Sequence, residues 1–281
     1  TYIARALGKE AGVGAAYIAV LAYTAMTVGL LGGFSYFMSQ VVDGLGMHVH
    51  WAWFSALGIA IVGVLGFRSV DLSSKVLGVL MSLEFAILLV FAALVAIDKG
   101  VATLPAVSFA SSNVVSGSIG IALMVAFTSF TGFESAALYG EEARDPERAV
   151  PRATYIAVST VGAFYILITW VIVGAVGPGQ VVQRATADGG VMVLNLVNQF
   201  GGEILYDIAA VFLCTSVLAS YSALHNAASR YLFALGRENV VPRILGTYHR
   251  RYFSPHIGSL TVTAITAIAA AAFALSGLDP Y

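Results

Sequence analysis

The stretch FTSFTGFESAALYGEE, residues 127–142, decides how the chain is read. It opens as one more apolar run. It then brings together the hydroxyls of Thr128, Ser129 and Thr131, a glycine at Gly132 between Phe130 and Phe133, and an acid at Glu134. Hydroxyl residues around a glycine make a poor continuous helix, and Gly132 has no side chain to hold the backbone or obstruct a ligand. The surroundings determine what such a break and such an acid mean.

Those surroundings are apolar. Of 281 residues, 59% are hydrophobic and only 10% charged, against roughly 25% charged in an average soluble domain. That composition indicates a polytopic, all-α membrane protein. A net charge of −1 gives no reason to expect nucleic acid as a partner. A bilayer core of ~30 Å needs about 20 mostly apolar helical residues. Seven runs meet or approach this, at 12–40, 51–67, 74–97, 118–140, 153–177, 204–229 and 256–276. No alternation of period two recurs, which argues against a barrel. The whole chain, 1–281, therefore reads as a single transmembrane domain. GGVMVLNLVNQFGG, 189–202, is too short to cross and reads as a partly buried helix on the outer face. A polar, amphipathic stretch, 230–255, separates the last two spans.

Basic residues orient these spans. Twelve lie on one side: Arg5, Lys9, Arg68, Lys75, Arg144, Arg148, Arg152, Arg230, Arg237, Arg243, Arg250 and Arg251. Only Lys99 and Arg184 lie on the other. The bias predicts a cytoplasmic N-terminus. Pro151 and Pro255 are expected at the entrances of the fifth and seventh spans, where a missing amide donor costs nothing, and Pro178 ends the fifth. Gly29 and Gly33 form a GxxxG pair suited to close helix packing.

The signatures of phosphate-binding loops, zinc proteases, two-cysteine redox sites and serine hydrolases are absent from the sequence, so a non-enzyme with no cofactor is expected. Cys214 is the single cysteine. His48 and His50 have a ligand-like spacing without a third partner nearby; His225, His249 and His256 complete the histidines. The informative residues are acids inside spans. A charge at mid-bilayer costs at least ~2.5 kcal/mol and usually faces a cavity or a partner. Glu84 and Glu134 qualify, and no lysine or arginine lies deep in any span. A carboxyl there can take up and release a proton, as a proton-coupled carrier requires, or can serve as a neutral hydrogen-bonding group. Discontinuous membrane helices bind polar ligands through freed amides and carbonyls, and are tolerated only beside a cavity or within protein. Phe127, Phe130 and Phe133 would wall such a site or simply pack.

The segment FTSFTGFESAALYGEEARDPERAVPRA, 127–153, resembles the sixth-helix signature of the amino acid/polyamine/organocation (APC) permeases. Its aromatic F-x-G-F-E core leads into Glu142, Pro146, Arg148, Pro151, Arg152 and Ala153 in the family's order. SRYLFALGRENVVPRILGTYHRRYFSPH, 229–256, is similar to the loop that follows the family's eighth helix. The resemblance implies the LeuT-like fold of two inverted five-helix repeats. The seven spans would be helices three to nine, so the chain is expected to be part of a longer one, lacking helices one and two and most of helix ten.

The resemblance further implies a secondary permease for an amino acid or amine, working in the plasma membrane by alternating access and coupled to protons or sodium. Thr128, Ser129, Phe130, Thr131, Gly132 and Phe133 would line the substrate pocket, with Glu134 in a coupling role. Thr215, Ser216 and Ser220 would lie near the place that holds sodium in sodium-coupled relatives. Some proton-coupled members carry a lysine in helix five. Here that helix carries Glu84 instead, the candidate substitute. A sensor or accessory subunit on the same fold is the alternative. A seven-helix receptor conflicts with the charge bias, and the seventh span has no lysine for a retinal Schiff base.

Overall fold

A computed structural model describes residues 2–68, 74–115, 117–133 and 145–278. Among them run α1 (Tyr2–Leu7), α2 (Lys9–Gly44), α3 (Trp51–Arg68), α4 (Ser74–Lys99), α5 (Ser111–Val114), α6 (Ile119–Ser129), α7 (Pro146–Val176), α8 (Val181–Asp188), α9 (Met192–Arg237) and α10 (His256–Ser276). Short 3₁₀ turns accompany them, and no strand occurs among the described residues. Among the described residues six helical segments are long and apolar enough to cross a membrane, and α6 is a shorter apolar helix of 11 residues. The protein is an all-α, multi-pass membrane protein.

Two compact units divide the chain, one built from residues 1–81 and 210–281, the other from 82–209. In the first, α2, α3 and α10 pack on one another and on the second part of α9. Lipid tails are as apolar as leucine, so helices in a membrane associate through close packing and hydrogen bonds, which favours small residues at the contacts. The buried face of α3 is Ser55, Gly58, Val62 and Gly66; that of α10 is Gly258, Ser259, Val262 and Thr266. Ser55 hydrogen-bonds Ser35 of α2 at 2.6 Å. A β-carbon on Gly58 would stand 3.1 Å from Leu31 and Phe34, and one on Gly258 would stand 2.8 Å from the Ser229 carbonyl.

At the centre of these contacts lies His225, wholly buried on α9. Its Nε2 stands 2.9 Å from the Thr263 hydroxyl, which itself donates to the Ser259 carbonyl at 2.9 Å. A hydroxyl has one proton, so Thr263 accepts from His225 and the ring carries a hydrogen on Nε2. The ring is seated against Gly66, where a β-carbon would come within 2.7 Å of it and 2.8 Å of the Ser259 hydroxyl.

The second unit has its core in Phe91, Val95, Val171, Ala175, Met192, Leu196 and Val197, from α4, α7 and the start of α9. The segment after α4 is strapped to α7. Trp170 donates its indole N–H to the Pro105 carbonyl at 3.1 Å. Thr103 donates to Gly100 at 2.7 Å, and Gly174 lets the Thr103 carbonyl come against the helix.

Several boundaries differ from the sequence expectation. α7 begins at Pro146, with Asp145 at the N-cap and Glu147 in the first turn, so Pro151 falls inside the helix and not at its entrance. Within α9 the backbone of Gly202 (φ 77, ψ 179) is non-helical and divides the stretch into two helices, one ending with the segment 189–202 and one carrying the sixth span. α9 also continues to Arg237, into the stretch expected to be polar connection. Within the fourth span, 118–140, α6 is helical to Ser129 and turns follow, at the hydroxyl and glycine residues that make a poor continuous helix; residues 134–144 lie outside the described ones. Of the Gly29–Gly33 pair, Gly33 is buried and Gly29 faces open space, and the small-residue face of α3 supplies further close packing.

The strap on α7 makes a specific prediction. A β-carbon on Gly174 would stand 2.0 Å from the backbone oxygen of Thr103, whereas one on Gly14 meets nothing within 4 Å. Gly174→Ala is expected to destabilise by about 1–3 kcal/mol or more, the range for overpacking, and Gly14→Ala to have no such effect. Thermal unfolding of both variants in detergent checks this; equal midpoints would contradict the packing described.

Candidate functional site: the end of α6

Ser118 opens α6, its hydroxyl accepting from the Ile121 amide at 3.4 Å. The helix runs through Ile119–Ser129 and then tightens. Phe130 donates to the Phe127 carbonyl and Thr131 to that of Thr128, both at 3.1 Å, in place of bonds reaching four residues back. Such i→i+3 bonds mark the fraying end of an α-helix. Gly132 then takes φ 103, a backbone conformation that a side chain would strain. At this end the Thr128 and Ser129 hydroxyls turn back, donating to Met124 and Val125 at 2.8 and 2.9 Å.

The carbonyls freed at a helix end require partners. One comes from α7: the Tyr165 hydroxyl donates to the Ser129 carbonyl at 3.3 Å. The Tyr165 ring meets Phe130 edge-on, with centroids 5.8 Å apart. Gly162, one turn earlier on α7, faces the Phe130 ring, where a β-carbon would stand in ordinary contact at 3.4 Å. These residues border a cleft of about 570 Å³ within the second unit, which Phe164, Thr169 and Ile172 also line. That volume falls in the range of small-molecule sites, roughly 300–1,000 Å³. Among the described residues none that lines the cleft is charged; the polar handles are hydroxyls and backbone groups around apolar walls. Such a cleft can hold a small molecule with an apolar body and a polar end.

Of the residues expected from the sequence, Ser129 and Phe130 line this cleft. Thr131 and Gly132 follow them half-buried, and Phe133 is exposed, as are Thr128 and Phe127. Glu134 lies outside the described residues. Glu84 is half-buried on α4, one turn before Leu88, which lines the cleft, and next to Phe85, whose ring stacks on Phe164 at 4.0 Å. Thr215, Ser216 and Ser220 belong to the other unit. Thr215 and Ser220 are exposed, Ser216 is half-buried, and the Thr215 hydroxyl donates to Phe212 at 2.9 Å. Among the described residues no three groups converge as metal ligands, and His48 pairs with Asp43 at 3.2 Å.

The α7 contribution was not read from the sequence. Gly162, Tyr165 and Thr169 sit in a run that is otherwise a plain apolar span. The available signal was their spacing: three and four residues apart, a small and two polar residues share one helix face.

The family model described as amino acid permease matches residues 1–281. The chain belongs to the amino acid permease family. It is 30% identical over 151 residues to an uncharacterized transporter of Mycobacterium tuberculosis, covering 54% of this chain and 33% of that protein. It is 28% identical over 142 residues to the low-affinity putrescine importer PlaP of Escherichia coli K12, covering 50% of this chain and 30% of the importer. The branched-chain amino acid permease BcaP of Bacillus subtilis is 24% identical over 258 residues, 85% of this chain and 52% of the permease. The chain thus spans between about a third and a half of these relatives.

Because Tyr165 ties α7 to the end of α6 through a single hydroxyl, Tyr165→Phe is expected to weaken ligand binding at the cleft about fivefold, as loss of a neutral hydrogen bond worth ~1 kcal/mol does. Thermal stabilisation by added amino acids and amines, compared with the parent chain, measures it. An unchanged response would remove Tyr165 from the site.

Proposed function

We propose that this chain works as a secondary transporter that moves amino acids or related amines across the plasma membrane by alternating access, coupled to protons. The observation that carries the reading is the end of α6 at Ser129, where a helix terminus borders a cleft walled by Phe130 and Tyr165. Helix interruptions of this kind supply ligand-binding amides and carbonyls without placing a full charge in the membrane. Membership of the amino acid permease family supports it. So do the names of two relatives, one a putrescine importer and one a branched-chain amino acid permease, since both substrate types carry an amine.

In this reading Ser129 to Phe133 bind substrate, with Thr128 supporting the turn before them. Glu84 on α4, beside the cleft-lining face, takes up and releases the coupling proton together with Glu134. The hydroxyls of Thr215, Ser216 and Ser220 are the position where sodium would act if it replaced the proton. The distribution of arginine and lysine supports a cytoplasmic N-terminus.

Uptake of labelled amino acids and putrescine into proteoliposomes tests the function. Accumulation driven by an inward proton gradient is expected, and no transport under either a proton or a sodium gradient would overturn it. Glu84→Gln and Glu134→Gln are each expected to flatten the dependence of uptake on external pH, because the substituted amide cannot titrate. A pH profile that keeps its shape removes that residue from coupling.

A further inference from the structure

The connection between α9 and α10 has a composition and a geometry that the cleft at the end of α6 leaves unaccounted for. From Arg237 to His256 it holds four arginines, two histidines and a single acid, Glu238. Arg237, Arg243, Arg250 and Arg251 are all exposed, and among the described residues none of them is paired with a carboxylate. Between them project three large apolar side chains: Ile244 at 61% exposed, Tyr248 at 55% and Phe253 at 78%.

This surface is held rigidly. The Ser254 hydroxyl, wholly buried, donates to the Phe67 carbonyl at the end of α3 at 2.6 Å. Tyr17 of α2 donates to the Val240 carbonyl at 2.9 Å. The backbone of Gly246 lies against Gly236, where a β-carbon would come within 2.3 Å. Tyr248 is seated on Phe233 with centroids 4.2 Å apart. Phe253 takes φ 51, a left-handed conformation unusual for a bulky residue, and the result is an aromatic ring turned outward. Both flanking helices are candidate spans, so the connection leaves one face of the membrane and returns to it. A fixed surface at that level, with arginines around apolar side chains, matches a layer of phosphate headgroups above the first carbons of acyl chains.

We propose that the 237–253 surface binds the headgroups of anionic phospholipids, with Ile244, Tyr248 and Phe253 entering the interface and the arginines engaging the lipid phosphates. The inference rests on the helices crossing a membrane and not on the transport reading. A basic side chain near an anionic membrane surface strengthens binding about fivefold. The test places the purified chain in nanodiscs of mixed phosphatidylcholine and phosphatidylglycerol and counts retained lipids by native mass spectrometry. The parent chain is expected to retain phosphatidylglycerol preferentially. R243Q/R250Q/R251Q is expected to lose about a hundredfold of that preference, while R184Q leaves it unchanged. Should the triple variant fail to fold, R250Q and R251Q singly, each expected to lose about fivefold, decide the matter. Equal retention of both lipids by the parent chain, or an undiminished preference in the arginine variants, overturns the proposal. Displacement of the lipid by excess inorganic phosphate also counts against it, because the site would then be one for a free anion.

Discussion

A backbone carbonyl inside a membrane has no water to turn to, and each one left unsatisfied costs several kcal/mol. The end of α6 meets this constraint directly. Eleven residues of helix rise about 16 Å, roughly half the hydrocarbon thickness. A helix that stops there exposes its last carbonyls, and the surroundings must provide donors. Short i→i+3 bonds from Phe130 and Thr131 satisfy two, and the Tyr165 hydroxyl reaches a third on Ser129. In the proposed reading, an outside ligand with donors of its own, such as an ammonium group, meets this segment.

Packing within the second unit keeps that terminus in position, and the first unit is held by contacts of its own. In the second unit the Thr103–Gly174 contact and the Trp170–Pro105 hydrogen bond tie the segment after α4 to α7, the helix that carries Tyr165. In the first unit, serine, threonine and glycine line the faces of α3 and α10, letting backbones approach and giving His225 a partner in Thr263. Close packing replaces the hydrophobic drive that water would supply to a soluble bundle.

Much of this was legible in the sequence. Six of the seven expected apolar runs fall on helices long and apolar enough to cross a membrane, because the bilayer sets the helix length, while α6 is a helix of 11 residues. The interruption near Gly132 followed from chemistry, since glycine among hydroxyls in an apolar span has few other uses. The start of α7 was missed although Asp145, Pro146 and Glu147 form an ordinary helix opening; the apolar window hid it, because the first two turns carry Arg148 and Arg152 and extend past the apolar part of the span. The GxxxG pair on α2 drew attention from α3, where serine and glycine separated by three and eight residues form the tighter face. Tyr165 stayed hidden because an aromatic residue in a membrane span reads as packing until its hydroxyl is seen to meet a free carbonyl. That partner comes from a different helix, 36 residues away.

The central claim is that the backbone from Ser129 to Phe133 contacts the transported molecule. Thiol labelling measures this most directly. With Cys214 replaced by alanine and a cysteine introduced by Ser129→Cys, the rate of modification by a small maleimide is followed in membranes with and without saturating amino acids or amines. The account predicts that at least one such compound slows labelling at this position while leaving a cysteine introduced by Ile204→Cys, on an exposed position of α9, equally reactive. Labelling of the Ser129→Cys chain that no amino acid, polyamine or related amine alters would contradict it.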